Sequence, residues 1–585
     1  MKAIHRLIAA GLAIASLAAC NETEFLKEVP YSIYSTENAL VTESDYQAMV
    51  NHLYYQMKKS CLDVYNQDAT GPLRSGDYGY EGNKLTGTAG NYSATEWNNL
   101  NTYYVPEQEG FEDIWKYTWD LISNANVVIT RVPDADLSES AKNRFLGEAL
   151  FARSWGYNYL CNIFGGMPII DGEVTAPSRG YTRSSRAETW QFALDGFTKA
   201  AELLPDIDKA GDGKLNKQIC QHFMAETNIS LGNYDAAITA ATDVINYSGV
   251  SLMTSRFGTL KDKPGDVYWD LFRMGNYNYS CGNHEGLFVQ QVDYKNSASI
   301  IGNGNDGDCD YLVRDYNCRY INWTVTLDNY SGNMMDTNPV SDYCGRAYGS
   351  IHPTEHFLTE IWEGMDGDIR NSEYNIKRDI QVNNKKATGY YGKWLIKDGV
   401  LAEAVKNGYD TNMMYWWPLI TKVANTTYDW PDEEKKKDSD GNIMDAVEIG
   451  GWYVQTSSGR DHSHKDFYMA RLAETYLLRA EAYVRKGNSD KAAEDINVLR
   501  DRAQAPHVKG TVDIDYVLDE RMRELYTEEC RTVTLMRMGL FVERVKKYNP
   551  IFMLNGVSDK HNLFPIPYSD IENNVLADLE QNPGY

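Results

Sequence analysis

The apolar positions of residues 466–504 form two stripes, each with the spacing of one helix face. The first stripe contains Met469, Leu472, Tyr476, Leu477, Ala480 and Tyr483. Gly487 and Asn488 then interrupt the pattern, as glycine commonly does just beyond the last helical residue. The second stripe contains Ala492, Ala493, Ile496, Leu499 and Ala503. The pattern predicts two helices joined by a short turn, which is an antiparallel helical hairpin.

An earlier part of the chain repeats this hairpin. Residues 225–237 read AETNISLGNYDAA and residues 480–492 read AEAYVRKGNSDKA, with identical residues at matching Ala, Glu, Gly, Asn and Asp positions. Small residues where two helices meet, with Gly-Asn at the turn, are typical of tetratricopeptide-type helix pairs. We therefore interpret the two segments as an internal repeat. The alternative is chance similarity between two helical hairpins.

Helical periodicity is also present near residues 44–58, 111–131, 139–164, 186–204, 217–231 and 234–247. We further predict a helix over residues 353–370, with Pro353 in its first turn. Residues 61–110 and 250–350 lack this periodicity and are predicted to be loop insertions. The expected fold is mainly α, with tetratricopeptide-like hairpins forming a scaffold that carries long irregular loops and a few short β-hairpins.

Composition narrows the class of function. The chain has 585 residues, with 42 Tyr and 13 Trp, and this many amphipathic rings suggests partly exposed contact surfaces. The formal net charge of −25 argues against binding to a nucleic-acid backbone and against adhesion to anionic membranes. No apolar run approaches the roughly 20 residues of a membrane-spanning helix.

The start of the chain is typical of an export signal. Lys2, His5 and Arg6 precede an apolar run over residues 7–17, and small residues lead into Cys20. We predict a signal peptide over residues 1–19 and lipidation of Cys20, followed by a single domain over residues 20–585. The alternative is a plain signal peptide that ends near an unmodified cysteine. The other eight cysteines are irregularly spaced, and no pairing is assigned.

Three sequence patterns with catalytic or metal-binding associations are set aside. Residues 352–356 fit H-x-x-E-H, but Pro353 favours a helix that begins there, which would separate His352 from His356. Residues 302–307 fit G-x-G-x-x-G without a following helix, and the alternating aspartates at 306–310 and 438–440 do not complete a calcium loop. We predict no metal, no cofactor and no catalytic residue.

Several segments carry a family resemblance. The hairpin RLAETYLLRAEAYVRKGNSDKAAEDINVLRDRA resembles the C-terminal signature of SusD/RagB-type proteins, which are surface nutrient-binding lipoproteins of Bacteroidetes. Further segments are similar to other parts of the family pattern: GEALFARSWGYNYLCNIFGGMPII, PTEHFLTEIWEGMDGDIR, VLDERMRELYTEECRTVTLMRMG and the ending QNPGY. Thr534 departs from the pattern, since the family often has an acidic residue there, and we expect only a local packing difference.

The resemblance implies a function. A protein of this family would be held at the outer face of the outer membrane by lipid, bind oligosaccharide or polysaccharide without cleaving it, and deliver it to a TonB-dependent transporter. Two other classes stay open: a surface binder of peptide or another nutrient on the same scaffold, and, less favoured, a surface glycoside hydrolase.

Candidate ligand residues come from composition, because the resemblance supplies no fixed ligand motif. Aromatic rings can cover the apolar faces of sugars, while Asn, Asp and Arg side chains pair with hydroxyls. Two windows outside helical periodicity, residues 65–104 and 277–330, hold both kinds of residue, and we expect them to converge on one side of the scaffold. The predicted site residues are Trp97, Tyr80, Tyr92, Asp68 and Arg74 in the first window, and Tyr311, Trp323, Asn317 and Arg319 in the second.

Overall fold

The computed structural model describes residues 40–62, 67–82, 97–292, 312–335, 347–411, 414–424, 446–449, 452–455 and 465–585. The predicted signal peptide, Cys20, Tyr92, Tyr311 and the aspartates at 306–310 and 438–440 lie outside these ranges. Within them, no helix combines the length and the apolar character needed to cross a membrane.

Helices dominate these ranges, which confirms the predicted fold class. In chain order they are α1 (Glu43–Leu62), α2 (Gln67–Arg74), α3 (Leu100–Tyr103), α4 (Glu109–Arg131), α5 (Glu139–Phe164), α6 (Arg186–Leu203), α7 (Ile207–Ala210), α8 (Lys217–Ser230), α9 (Tyr234–Ile245), α10 (Val267–Asp270), α11 (Leu312–Tyr316), α12 (Glu355–Leu358), α13 (Val400–Lys406), α14 (Leu472–Arg485), α15 (Ser489–Arg502), α16 (Ile514–Leu525), α17 (Arg531–Met538), α18 (Phe541–Tyr548), α19 (Pro550–Met553) and α20 (Tyr568–Asn573).

The strands are short and pair in twos. They are β1 (Gly79–Glu81), β2 (Gly286–Gln290), β3 (Thr324–Thr326), β4 (Ser331–Asn333), β5 (Ile351–Pro353), β6 (Ile376–Lys377), β7 (Leu419–Ile420), β8 (Ala446–Ile449), β9 (Trp452–Gln455) and β10 (Phe467–Arg471). The antiparallel pairs are β1–β5, β2–β10, β3–β4, β6–β7 and β8–β9.

The long helices pack in succession. Helix α4 packs against α1 and α5, α5 against α6, α6 against α8, α8 against α9, α9 against α14, and α14 against α15. We call these eight helices the scaffold. Local sequence sets their ends: Ser138 caps α5 by accepting the Ala141 N–H at 3.2 Å, and Gly165, with φ of 86°, terminates it. Buried apolar side chains, including Phe145, Phe151 and Leu160 of α5, form the main core.

The predicted internal repeat is confirmed as two equivalent hairpins, α8–α9 and α14–α15. Gly232 and Gly487 have φ of 79° and 76°, which glycine adopts without a Cβ clash. In each turn the next residue donates its N–H to the carbonyl five residues earlier, Asn233 to Asn228 and Asn488 to Tyr483, both at 2.8 Å. The hairpins also touch, because Ile229, Ala237, Leu478 and Ala482 form one buried cluster between them. The sequence repeat is therefore a packing repeat.

A second core lies outside the scaffold. It is built from residues 312–335, 347–411 and 414–424, which we call the loop unit. Its buried members include Val313, Trp323, Val325, Met334, Ile380, Val382, Leu395, Trp416, Trp417 and Leu419. The predicted loop insertion at 250–350 is thus only partly right, because part of it belongs to a compact unit that continues to residue 424.

The predicted helix over residues 353–370 is wrong. Pro353 ends strand β5, only Glu355–Leu358 is α-helical, and a 3-10 turn follows over Glu360–Trp362. Pairing with β1 decides the outcome, since Tyr80 lies opposite His352 and the Thr354 N–H donates to the Tyr78 carbonyl at 2.8 Å. A tertiary strand contact has overridden the local helical pattern.

A buried charged cluster joins the scaffold to neighbouring segments. Arg471 at the end of β10 contacts Glu285 at 2.7 Å, Glu524 of α16 at 2.6 Å and Glu528 at 2.7 Å. Arg502 of α15 connects the scaffold to this cluster through Glu285 at 3.1 Å, and Arg370 of the loop unit contacts Glu524 at 3.0 Å. Burial by itself raises the pKa of Glu524, but the surrounding guanidinium groups outweigh it and hold that pKa well below its usual value.

Candidate functional site

The first sequence window contacts the loop unit, and its Tyr78 ring lies 5.5 Å from the Tyr316 ring of the second window. Strand β1 from the first window pairs with β5, and the Gly82 N–H donates to the Ser350 carbonyl at 2.8 Å. The Tyr80 ring stacks on His352, with ring centres 4.8 Å apart and planes at 10°, and His352 contacts Trp417 at 4.5 Å. We call this contact the seam.

The aromatic residues predicted as ligand platforms in the first window are buried. Tyr80 is 6% exposed and Trp97 is 3% exposed. Trp97 covers Gly71 so closely that a Cβ atom there would lie 2.9 Å from its Cζ2 atom, and its ring edge faces Phe552 at 6.3 Å. Contact between these rings and a ligand would require their cover to move, so their role in binding stays a prediction.

Two polar residues predicted as ligand contacts, one in each window, instead form hydrogen bonds with backbone groups. Arg74 is 1% exposed and donates to the carbonyls of Thr527 at 3.1 Å and Cys61 at 3.3 Å. Asn317 is fully buried, and its amide exchanges two hydrogen bonds with the Ile420 backbone, at 3.1 and 2.6 Å. These contacts organise the fold around the seam.

The remaining predicted residues are scattered. Trp323 is fully buried in the loop unit, 5.6 Å from Tyr409. Arg319 is partly exposed, lies 4.8 Å over the Tyr348 ring and donates to Asn322 at 3.0 Å. Asp68 belongs to α2, but its side chain lies outside the described residues. The structure therefore brings the two windows together without giving the predicted residues one open surface.

Sequence reasoning missed rings that are exposed. Tyr391 is 54% exposed, and Trp394, three residues later, is partly exposed. Both lie in the loop unit, between Lys385 and Lys397. The sequence Tyr-Tyr-Gly-Lys-Trp at 390–394 could have identified them. Its glycine indicates a turn, and loop segments generally lie on the protein surface.

A polar cleft also lies inside the scaffold, with room for about 120 Å³. Its walls include Trp155, Asn158, His222, Glu226, Glu474 and Arg537. Charges in the walls are matched, since Arg521 contacts Glu474 at 2.6 Å and Arg537 pairs with Glu481 at 2.5 Å.

The histidines of the H-x-x-E-H pattern are engaged separately. His352 is buried with Nδ1 2.8 Å from the Pro353 carbonyl oxygen, and burial lowers its pKa to about 4. His356 lies between Glu360 at 2.8 Å and Asp519 at 3.0 Å. Across the described parts of the chain, no group of three or more His, Cys, Asp or Glu residues is arranged to hold a metal ion.

The six cysteines in the described ranges are thiols: Cys61, Cys161, Cys220, Cys281, Cys318 and Cys530. Cys161 of α5 and Cys220 of α8 are buried. Burial raises the pKa of the Cys161 thiol to about 12, which leaves it protonated and unreactive at neutral pH.

Comparison with known families matches both halves of the chain. A model described as the SusD family matches residues 322–585, and one described as starch-binding associating with outer membrane matches residues 24–217. The starch-binding protein SusD of Bacteroides thetaiotaomicron is 38% identical over 158 residues, which is 25% of this chain and 28% of that protein. SusD-like protein P2 of Formosa agariphila is 23% identical over 592 residues, covering 97% of each chain.

Solved structures share the fold. A laminarin-binding SusD-like protein superposes with a TM-score of 0.64 at 18% identity, covering 93% of this chain and 99% of the other. Surface glycan-binding protein A from Bacteroides thetaiotaomicron, in complex with laminarihexaose, gives a TM-score of 0.62 at 16% identity, covering 92% and 99%. At these identities the likeness establishes the architecture alone.

Proposed function

This chain is a SusD/RagB-like protein, and from that membership we propose that it binds carbohydrate at the bacterial surface and passes it to a transporter. The observation that carries the proposal is the order of the two family models, which flank residues 218–321 and together cover most of the chain. Relatives of similar length support it, since their likeness extends over 97% of both chains in one case.

Anchoring and delivery belong to the same proposal. Lipid attached to Cys20 would hold the protein at the outer membrane, where several acyl chains bind far more firmly than one. The partner would be a TonB-dependent outer-membrane transporter. Exposed ring stacking contributes only about 0.5–1.5 kcal/mol for each contact, and such modest affinity suits a protein that must release its ligand to the transporter.

Binding without cleavage is the third element of the proposal. Glycoside hydrolysis requires two carboxyl groups on either side of a bound sugar. In the described cleft, Glu226 accepts a hydrogen bond from Asn158 at 2.8 Å and Glu474 is paired with Arg521. Each carboxylate therefore already has a structural partner, which supports binding without cleavage.

A glycan array with the purified full chain in detergent tests the proposal. Retention of at least one glycan without new reducing ends is the expected result. New reducing ends would indicate a hydrolase, and silence toward every glycan would favour a binder of peptide or another nutrient. The variant Trp97→Ala in the same array tests whether the region of the seam takes part in binding. Thermal unfolding is its control, because Trp97 is buried and its loss could destabilise the fold. Unchanged binding would show that Trp97 is not part of the site.

A further inference from the structure

One segment of the loop unit has a net charge opposite in sign to that of the whole protein. Residues 377–398, which we call the basic tip, contain six basic side chains, Lys377, Arg378, Lys385, Lys386, Lys393 and Lys397, and two acidic ones, Asp379 and Asp398. The tip is therefore a positively charged segment in a chain with a formal net charge of −25. Since salt screens charges beyond about 8–10 Å, a ligand at the tip responds mainly to these local groups.

We propose that the basic tip binds an acidic glycan, with rings against the sugar faces and lysines against its carboxylate or sulfate groups. This inference rests on the proposed carbohydrate binding and narrows it to a class of ligand. Tyr391 and Trp394 supply the rings. Lys385, Lys386, Lys393 and Lys397 are exposed around them.

The backbone of the tip directs these rings outward. The Val382 N–H donates to the Lys393 carbonyl and the Leu395 N–H to the Ile380 carbonyl, both at 2.9 Å. Ile380, Val382 and Leu395 are buried in the loop-unit core. Successive side chains on a strand point to opposite faces, so Trp394 lies on the outer face of this pair. A ring fixed on a packed base loses little freedom when a ligand binds.

The two acidic residues of the tip shape its backbone. Asp379 accepts the N–H groups of Ile396 and Lys397, each at 2.9 Å. Asp398 accepts the N–H of Trp394 at 2.7 Å. Both carboxylates therefore have hydrogen-bond donors within the tip.

The exposed lysines of the tip contrast with two exposed lysines that are held in ion pairs on the helices. On the scaffold and C-terminal helices, Lys491 pairs with Glu494 and Lys547 with Asp515, each at 2.5 Å. Lys385, Lys386, Lys393 and Lys397 form no ion pair with any residue in the described ranges; Lys393 lies 4.9 Å over the Tyr390 ring. Four ammonium groups are thus available to an incoming anion.

Binding to matched acidic and neutral polysaccharides tests this inference. The probes are polygalacturonate, alginate and chondroitin sulfate, each beside its carboxyl-reduced or desulfated counterpart. The full chain should bind at least one acidic polymer about ten-fold more tightly than its neutral counterpart, and raising the salt concentration should weaken that binding.

Variants locate the binding. The triple variant Lys385→Ala, Lys386→Ala and Lys393→Ala should weaken acidic-glycan binding about ten-fold, because each exposed charge contributes modestly. Tyr391→Ala should weaken it several-fold. The control is Lys261→Ala, Lys263→Ala and Lys546→Ala, which removes three exposed lysines elsewhere and should leave binding unchanged.

Each contrary outcome has a distinct meaning. Binding to neutral glycans that the tip variants do not alter would overturn the acidic-glycan inference and leave the proposed function standing. No binding to any glycan would end both proposals. Equal binding to vesicles of anionic phospholipid, lost in the same triple variant, would assign the tip to a lipid surface and would also overturn the inference.

Discussion

The scaffold and the loop unit are stabilised in different ways. Long helices in the scaffold repeat one hairpin geometry, and buried ion pairs join them to the segments that follow. The loop unit has short strands and an aromatic core of its own, with Trp323, Trp416 and Trp417 inside and Tyr391 outside. Part of the loop unit, including Ile351 and Phe357, packs into the main core, but the buried apolar residues of the basic tip belong to the second core. Substitutions on the exposed surface of the tip should therefore leave the helical support intact. The comparison predicts that the proposed binding surface and the helical support can be altered separately.

The largest effect is expected from the ion cluster of the scaffold. Arg471→Ala removes the one cation that contacts Glu285, Glu524 and Glu528 together, although Arg502 still pairs with the first two and Lys422 with the third. Breaking a buried ion pair by removing one partner costs about 3–5 kcal/mol of unfolding free energy. Denaturant unfolding measures it. The control Arg485→Ala removes an exposed arginine at the end of α14 and should change stability by about 0.5 kcal/mol or less. Equal effects of the two substitutions would contradict the role given to the cluster.

A second substitution tests whether the loop unit opens by itself. Trp323→Ala removes a fully buried indole from the second core, at a cost of about 3–5 kcal/mol. Hydrogen exchange should rise in residues 312–335 and 376–424, while amides of α5 keep their protection. If α5 exchanged to the same extent, the two regions would unfold as one and the comparison would fail.

The stability of the protein should depend on pH through His352, which is buried at the seam. Burial lowers the pKa of His352 to about 4, below the value near 6.5 of an unfolded histidine. As pH falls from 6.5 toward 4, the unfolded chain takes up a proton that the folded chain does not, so stability falls by up to about 3 kcal/mol.

His352→Phe isolates this effect. Phenylalanine keeps a ring between Tyr80 and Trp417 but cannot titrate, so the slope of stability against pH should decrease by about one proton between pH 4 and 6.5. His507→Phe is the matched control, because the His507 side chain is 60% exposed. An unchanged slope in His352→Phe would show that the seam histidine titrates normally.

The smallest effect on stability is expected at the tip. Tyr391→Ala removes a ring that is 54% exposed, and its unfolding free energy should stay within about 0.5 kcal/mol of the wild type. Thermal unfolding measures this change. A larger loss would mean that Tyr391 supports the core of the loop unit. It would contradict the expectation that the tip can be altered without loss of stability.

Helical hairpins were predictable because their signals are local. The apolar stripe, the turn glycine and the repeated Asn all act within one hairpin, and Gly232 and Gly487 adopt the same conformation. The helix predicted to begin at Pro353 is absent, because residues 351–353 pair with β1, which is far away in the sequence. Strands of three residues leave too short a pattern to reveal such pairing.

The candidate site was less predictable for a related reason. Composition located the aromatic windows but could not distinguish a ring packed under its own segment from one facing solvent. Trp97 is enclosed by its contacts with Gly71 and Phe552. Trp394 lies on the outer face because its neighbour Leu395 packs into the core of the loop unit. Exposure of a loop aromatic is a property of tertiary packing, which a single sequence does not encode locally.

Asp77 has a consequence for how the chain matures. Its buried carboxylate contacts Arg531 and Arg544, each at 2.7 Å, across sequence separations of 454 and 467 residues. Because the ribosome synthesises the N-terminal end first, Asp77 has neither of these arginine partners until nearly the whole polypeptide has been synthesised. Completion of this buried cluster is thereby postponed to the last stage of translation, so the segment around Asp77 cannot reach its final packing before residues 531–544 have been synthesised.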